Sequence, residues 1–226
     1  MMVDHKAFIR ANTTLKPASL VPELRLHLAD QALPLWQKTE DELVEAGLPP
    51  PYWAFAWAGG QAVARYIIDH PEVVAGRRVL DVAAGGGIAS LACLWASAAH
   101  VTANEIDVFA ITAIGLNAAA NGLTAGLELI ARDMLDEPTL AEDGGPLWDV
   151  VLAGDVCYEK PMADRMIGWL HRHAAAEAVV LLGDPGRSYK PKDGLGALAT
   201  YNVPVPRELE DNDLRRTVVW RVKPPG

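Results

Sequence analysis

The chain has 226 residues and a mass of 24.3 kDa, half of them apolar and 22% charged, which excludes disordered and collagen-like classes and allows one domain with a modest extension. Lys and Arg number 20 against 29 Asp and Glu, and the resulting charge of −9 argues against nucleic acid as the partner. Cys93 and Cys157 stand in apolar surroundings, too few for a disulfide framework or a zinc site, and point to a reducing compartment.

No apolar segment marks the start as a secretory signal, so a cytoplasmic protein is expected. Residues 1–19 carry no clear period and are expected to fray. Residues 24–28 alternate apolar and polar side chains, a short strand signal. Asp30 is placed to cap a helix over 31–46, closed by Gly47 and the run Pro49, Pro50, Pro51. The aromatic segment Tyr52-Trp53-Ala54-Phe55-Ala56-Trp57 then precedes Gly59-Gly60 and a helix to Asp69, which Pro71 stops.

From residue 71 the pattern changes to strand–helix alternation. Strands are expected at 78–82, 100–104, 127–131, 149–153 and 178–182, with helices at 88–98, 108–120 and 162–173. This predicts an α/β architecture with a mostly parallel sheet. Two β-rich segments, 199–205 and 216–222, predict a C-terminal antiparallel hairpin. The uncharged run 82–99 reads as a buried strand, turn and helix rather than a membrane span. Residues 1–70 form an N-terminal helical and aromatic extension packed on 71–226, one structural unit.

The strongest local motif is the turn after the first of the alternating strands. Asp81 ends the strand, and Gly85-Gly86-Gly87 lead into the helix. Glycines there let backbone approach a ligand with no Cβ in the way. Two cofactors compete. Gly85 and Gly87, with Ser90 in the third glycine's place, form a degenerate dinucleotide fingerprint, and Glu105 lies where such folds hold a ribose. Asp81, however, suits a cation and would repel a pyrophosphate. S-adenosylmethionine carries an amino group and a sulfonium but no phosphate, and the acidic turn favours it. Glu105 can accept from both ribose hydroxyls, while Asp107 reads as the next helix's N-cap. Asp133 can accept from an adenine amino group, with a solvated loop acid as the alternative, and Met134 can pack on the ring.

Gly154-Asp155-Val156-Cys157-Tyr158 follows the fourth alternating strand, where a methyl acceptor would enter. Methyltransferases acting on bases commonly carry Asn-Pro-Pro-Tyr there. Asp155 replaces the amide and the prolines are absent, which favours a protonated amine met by Asp155 with its alkyl stem along Tyr158. Cys157 reads as a small packing residue. His27, His171 and His173 lack ligand-like companions and are expected at the surface or hydrogen-bonded; no metal site is visible.

Residues 79–87, Asn104-Glu105-Ile106-Asp107, 154–158 and Gly183-Asp184-Pro185-Gly186-Arg187 together resemble the seven-β-strand protein-lysine methyltransferases. Within them the chain is most similar to the electron-transfer flavoprotein β-subunit lysine methyltransferases, over about residues 20–223. Residues 52–61 look like that family's aromatic entry segment and Thr217-Val218-Val219-Trp220 like its last strand. The resemblance implies a doubly wound, mostly parallel seven-stranded sheet. It implies S-adenosylmethionine held by Trp57, Asp81, Gly85, Gly87, Glu105, Asp133, Met134 and Gly154, and an acceptor lysine met by the catalytic pair Asp155 and Tyr158. It also implies a protein substrate, the flavoprotein β subunit, met by a monomer without nucleic acid or membrane. Ala83 departs from the pattern, since many methyltransferases carry glycine there, but it still permits a tight turn. A small-molecule N-methyltransferase on the same fold is the alternative.

Overall fold

The computed structural model describes residues 4–29, 50–205 and 213–225. The helix expected over 31–46 lies outside the described residues. Residues 4–19 are ordered rather than frayed. Asp4 accepts the Ala7 N–H and caps α1 (His5–Asn12), whose Ile9 is buried with Trp53 and Phe109. An eight-residue helix with one fully buried side chain, Ile9, leaves no period to read. β1 (Thr14–Pro17) pairs antiparallel with β2 (Arg25–Leu28), the alternating segment.

α2 (Ala58–Asp69) starts after Trp57 and stops ahead of Pro71. The alternating part then runs β3 (Arg78–Val82), α3 (Ile88–Trp95), β4 (His100–Glu105), α4 (Val108–Asn121), β5 (Leu127–Ala131), β6 (Val150–Gly154), α5 (Lys160–Ala175) and β7 (Val179–Asp184). β8 (Leu195–Pro204) and β9 (Leu214–Val222) form the closing hairpin. The seven-stranded sheet has the order β5-β4-β3-β6-β7-β9-β8. Its first five strands are parallel, and β9 returns antiparallel beside β7. This is the doubly wound fold with the expected terminal hairpin.

The central strands are buried on both sides. Val79, Leu152 and Leu181 join the core containing Val63, Ile67, Leu91 and Ala92 of α2 and α3. Leu80, Val151 and Leu182 join Met166, Trp169 and Leu170 of α5. Each such side chain contributes roughly 1.5–3 kcal/mol of transfer free energy. His173 also lies in the second core, fully buried against Trp148 and Trp169, with neither ring nitrogen hydrogen-bonded among the described residues. That corrects the expectation of a surface or bonded histidine. Burial pushes its pKa down to about 4 and keeps the ring neutral. His27 and His171 are hydrogen-bonded, to Thr13 and to the Lys223 carbonyl.

Register sets Val82 beside Asn104 and Ala153, and Gly154 beside Gly183, so the carboxyl ends of β3, β4, β6 and β7 form one edge. The strand order reverses between β3 and β6, the place where such sheets open a crevice. The start of α2 comes down on this edge in backbone contact. A Cβ on Gly154 would lie 2.7 Å from Gly60 Cα, and one on Gly59 or Gly183 would collide with the opposite backbone.

Candidate active site

The crevice holds a cavity of ≈ 640 Å³ between the β3–α3 turn and the segment after β6, within the size range of small-molecule sites. Trp57, Gly85, Glu105, Asp133, Met134, Gly154, Asp155 and Tyr158 all line it. Asp81 lines a smaller cleft behind the turn. Gly87 shapes the turn without lining the cavity.

At the turn, three residues take left-handed backbone: Ala83 (φ 53°), Gly85 (φ 56°) and Gly87 (φ 80°). Gly87 is also the N-cap of α3. The buried Asp81 carboxylate accepts the Ser90 N–H at 2.9 Å and the Ser90 hydroxyl at 2.6 Å. It therefore occupies a donor in the first turn of α3 that a phosphate would otherwise use. Burial pushes its pKa up to about 7 against the lowering effect of these bonds.

Glu105 ties this turn to the end of β4. Its Oε1 accepts the Gly85 N–H at 2.7 Å and its Oε2 the Ile106 N–H at 3.0 Å. Burial raises its pKa despite those bonds. Asp107 caps α4 by accepting the Phe109 N–H, as expected. Asn104 donates to the carbonyls of Ile130 and Arg132 and so fixes the chain that delivers Asp133 and Met134. Met134 is buried. Asp133 is exposed, accepts the Leu135 N–H, and pairs with Arg165 at 3.0 Å, which together hold its carboxyl below the usual range.

At the other end, Asp155 takes φ 62° and is 7% exposed. Its Oδ2 accepts the Gly59 N–H at 3.1 Å, and its Oδ1 accepts the Arg187 Nε–H at 2.6 Å. The carboxylate thus joins three segments that the sequence separates. Tyr158 stands half exposed with its ring centroid 5.9 Å from that of Tyr52, and Tyr52 lies 6.0 Å from Trp57. Trp57 donates its indole N–H to the Tyr52 carbonyl at 2.9 Å. Partial burial, with acids nearby, pushes the Tyr158 phenol up to about 12, so it stays protonated. Cys157 is buried and its thiol is likewise pushed up to about 12 by burial, consistent with packing.

Tyr52, Arg165 and Arg187 also line the cavity, and none of them had a role assigned from the sequence. Arg187 was visible in the Gly183–Arg187 motif, but its partner, Asp155, lies 32 residues away. Among the described residues no cluster of His, Cys, Asp and Glu could hold a metal ion.

These residues fit S-adenosylmethionine better than a dinucleotide. No basic residue lies within 79–90, and a buried carboxylate already caps the helix start. Beyond the backbone N–H groups that it accepts, the Glu105 carboxylate has acceptor capacity that could meet a ribose hydroxyl. Met134, Val82 and Leu135 give the cavity an apolar wall that could pack on an adenine ring.

Comparison with known proteins identifies the fold and the family. The ribosomal protein L11 methyltransferase (PrmA) family matches residues 66–154. A Pyrococcus horikoshii candidate RNA methyltransferase shares the fold with a TM-score of 0.55 at 14% identity, covering 99% of this chain and 98% of its own. Magnesium protoporphyrin IX methyltransferase from Synechocystis, solved with bound S-adenosylmethionine, gives a TM-score of 0.51 at 16% identity over 73% of this chain and 77% of its own. The chain is 36% identical over 224 residues to the electron transfer flavoprotein beta subunit lysine methyltransferase of Danio rerio, covering 96% of this chain and 83% of that relative. With that identity held over 96% of its length, the chain belongs to the family of electron transfer flavoprotein beta subunit lysine methyltransferases.

Proposed function

We propose that this chain transfers methyl groups from S-adenosylmethionine to lysine side chains of a folded protein, the electron-transfer flavoprotein β subunit. The observation that carries the reading is one cavity with a carboxylate-tied glycine turn at one end and Asp155 with Tyr158 at the other. Gly85, Glu105, Met134 and Gly154 hold the donor, with Trp57 and Asp133 at its flanks. Asp81 and Gly87 act through the shape of the turn.

When bound, S-adenosylmethionine supplies an electrophilic methyl carbon and leaves as a neutral thioether. The nucleophile must be a neutral amine, and since a free lysine titrates near 10.4, neutrality at about pH 7.4 costs about 4 kcal/mol. A partly dry opening lowers that cost. Asp155 keeps lone pairs beyond those used by Gly59 and Arg187, and with one of them it orients the amine. The Tyr158 ring walls the lysine stem. Positioning supplies most of the rate in this account.

We further propose that the protein works as a cytoplasmic monomer, with no nucleic acid or membrane; two free buried cysteines and a charge of −9 support this. Among the described residues no helix is long and apolar enough to cross a membrane. Residues 1–70 serve as an extension on the 71–226 domain, supported by the backbone contact of α2 with β6 and β7.

The test is label transfer from S-adenosylmethionine to the purified, folded flavoprotein β subunit. Label in that protein is expected; label confined to small molecules would favour the alternative N-methyltransferase. Glu105→Ala should weaken S-adenosylhomocysteine binding by about 1–3 kcal/mol in calorimetry. Tighter binding of NADH than of S-adenosylhomocysteine would overturn the cofactor assignment.

A further inference from the structure

Asp155 poses a problem for the chemistry just described. An uncompensated carboxylate beside the acceptor would favour its ammonium form, raise its pKa and oppose transfer. The structure answers with Arg187. Its Nε–H donates to Asp155 Oδ1 at 2.6 Å, the Asp155 side chain is only 6% exposed, and both residues line the cavity. The loop that carries Arg187 is itself pinned: Asp184 Oδ1 accepts the backbone N–H groups of Gly186 and Arg187 at 2.6 and 2.9 Å. Asp155 is pinned too, through the Gly59 N–H at the start of α2 and a left-handed backbone. Two anchored partners hold the ion pair in place at the opening.

We propose that Arg187 is a positioning residue of the transfer: it neutralises Asp155, so that the carboxylate orients the acceptor amine without holding it as an ammonium ion. The proposal rests on the lysine-transfer reading above. The Nζ lone pair forms the new N–C bond as the methyl carbon releases its C–S electron pair to sulfur, and the surplus proton of the product goes to water. Asp155 takes no proton in this sequence. The other groups facing the pair do not replace Arg187. Asp184 at the end of β7, Glu105 at the end of β4 and Glu159 before α5 are acids. Tyr158 and Cys157, after β6, stay neutral unless the pH is high, and Tyr52 opposite brings no positive charge. Lys190, on the loop after β7, acts on Asp184 and Cys157. Arg165, another cation on the cavity wall, is paired with Asp133 and Asp136, so removing Arg187 leaves Asp155 uncompensated.

The experiment is the pH dependence of kcat for methylation of the folded flavoprotein β subunit, because kcat reports ionisations within the bound complex. Arg187→Met should move the rising acidic limb to higher pH by at least about one unit, a loss of roughly tenfold below the limb. The double variant Asp155→Asn/Arg187→Met should return the limb toward its wild-type position, even at lower amplitude. S-adenosylhomocysteine affinity should stay within about threefold of wild type in both. A loss equal at every pH, or a double variant whose limb stays where the single variant put it, would overturn the role of Arg187. Should Arg187→Met not fold, Asp155→Asn alone decides. An uncompensated Arg187 should lower the limb, and an unmoved or raised limb overturns the proposal. A wild type that transfers no label to this protein overturns the lysine reading itself; an active wild type with an unmoved limb in Arg187→Met overturns only the inference.

Discussion

Two groups of glycines build this site, and they are glycine for different reasons. Gly85 and Gly87 lie in the β3–α3 turn with positive φ, where an L side chain is strained whatever the space around it. Gly59, Gly154 and Gly183 have ordinary backbone, and the constraint is contact: the start of α2 touches the ends of β6 and β7 with no room for a methyl group. The first group shapes the turn at the proposed donor end. The second brings Gly59 near enough for its N–H to reach Asp155, and so shapes the proposed acceptor end. A turn can relax locally under a substitution. A backbone contact between a helix and two strands cannot, because all three elements must shift together.

The contrast can be broken by experiment. Gly183→Ala should have the largest effect, since its Cβ would collide with the Gly59 carbonyl and meet Val63 at 2.7 Å. A loss of about 3–4 kcal/mol is expected from urea midpoints. Gly87→Ala combines φ 80° with a Cβ contact at 2.9 Å to the buried Ile114 side chain, so a side chain must shift where Gly183→Ala would displace backbone. About 2 kcal/mol should be lost. If Gly87→Ala proves costlier than Gly183→Ala, the ranking of contact above backbone strain is wrong.

Asp81 gives the turn a pH signature of its own. Its folded pKa is raised from 3.8 to about 7, so between those values the folded chain binds the extra proton. The stability it contributes is therefore present in acid and lost as pH rises toward 7, by at most about 1.4 kcal/mol per pH unit. Asp81→Asn should remove that slope, measured as the difference from wild type in melts at successive pH values. An identical slope in both proteins would place the raised pKa elsewhere. Gly85→Ala, at φ 56° with open space around the new Cβ, should cost about 1 kcal/mol, a pure strain case. Smallest of all is Ala83→Gly at φ 53°: relief of strain slightly exceeds glycine's added entropy cost, for a gain of about 0.5 kcal/mol. A clear loss there would mean that the Ala83 methyl packs more strongly than its backbone is strained.

The donor end was the more legible of the two. Its parts lie in short windows: Asp81 with Ser90 across nine residues, and Gly85 with Glu105 across twenty. A strand, a turn and a helix start are local events, so motif and spacing specify them. The acceptor end was legible as residue types and not as contacts. Asp155 and Tyr158 were placed after the right strand, but Asp155 meets Gly59 across 96 residues and Arg187 across 32. α1 was missed because its one buried anchor, Ile9, makes no periodic pattern, and His173 because burial between two tryptophans depends on the packing of α5.

The sequence by itself determined the alternation of strands and helices, the closing hairpin and the acidic glycine turn. Each rests on periodicity, capping or turn chemistry within about twenty residues. Only the tertiary structure decided that Asp155 is an ion-paired carboxylate rather than a free one, that three distant glycines are a single contact, and that His173 is a neutral ring in the core. Charge state and close approach depend on what the fold brings together, and burial makes both consequential by withdrawing water as the alternative partner.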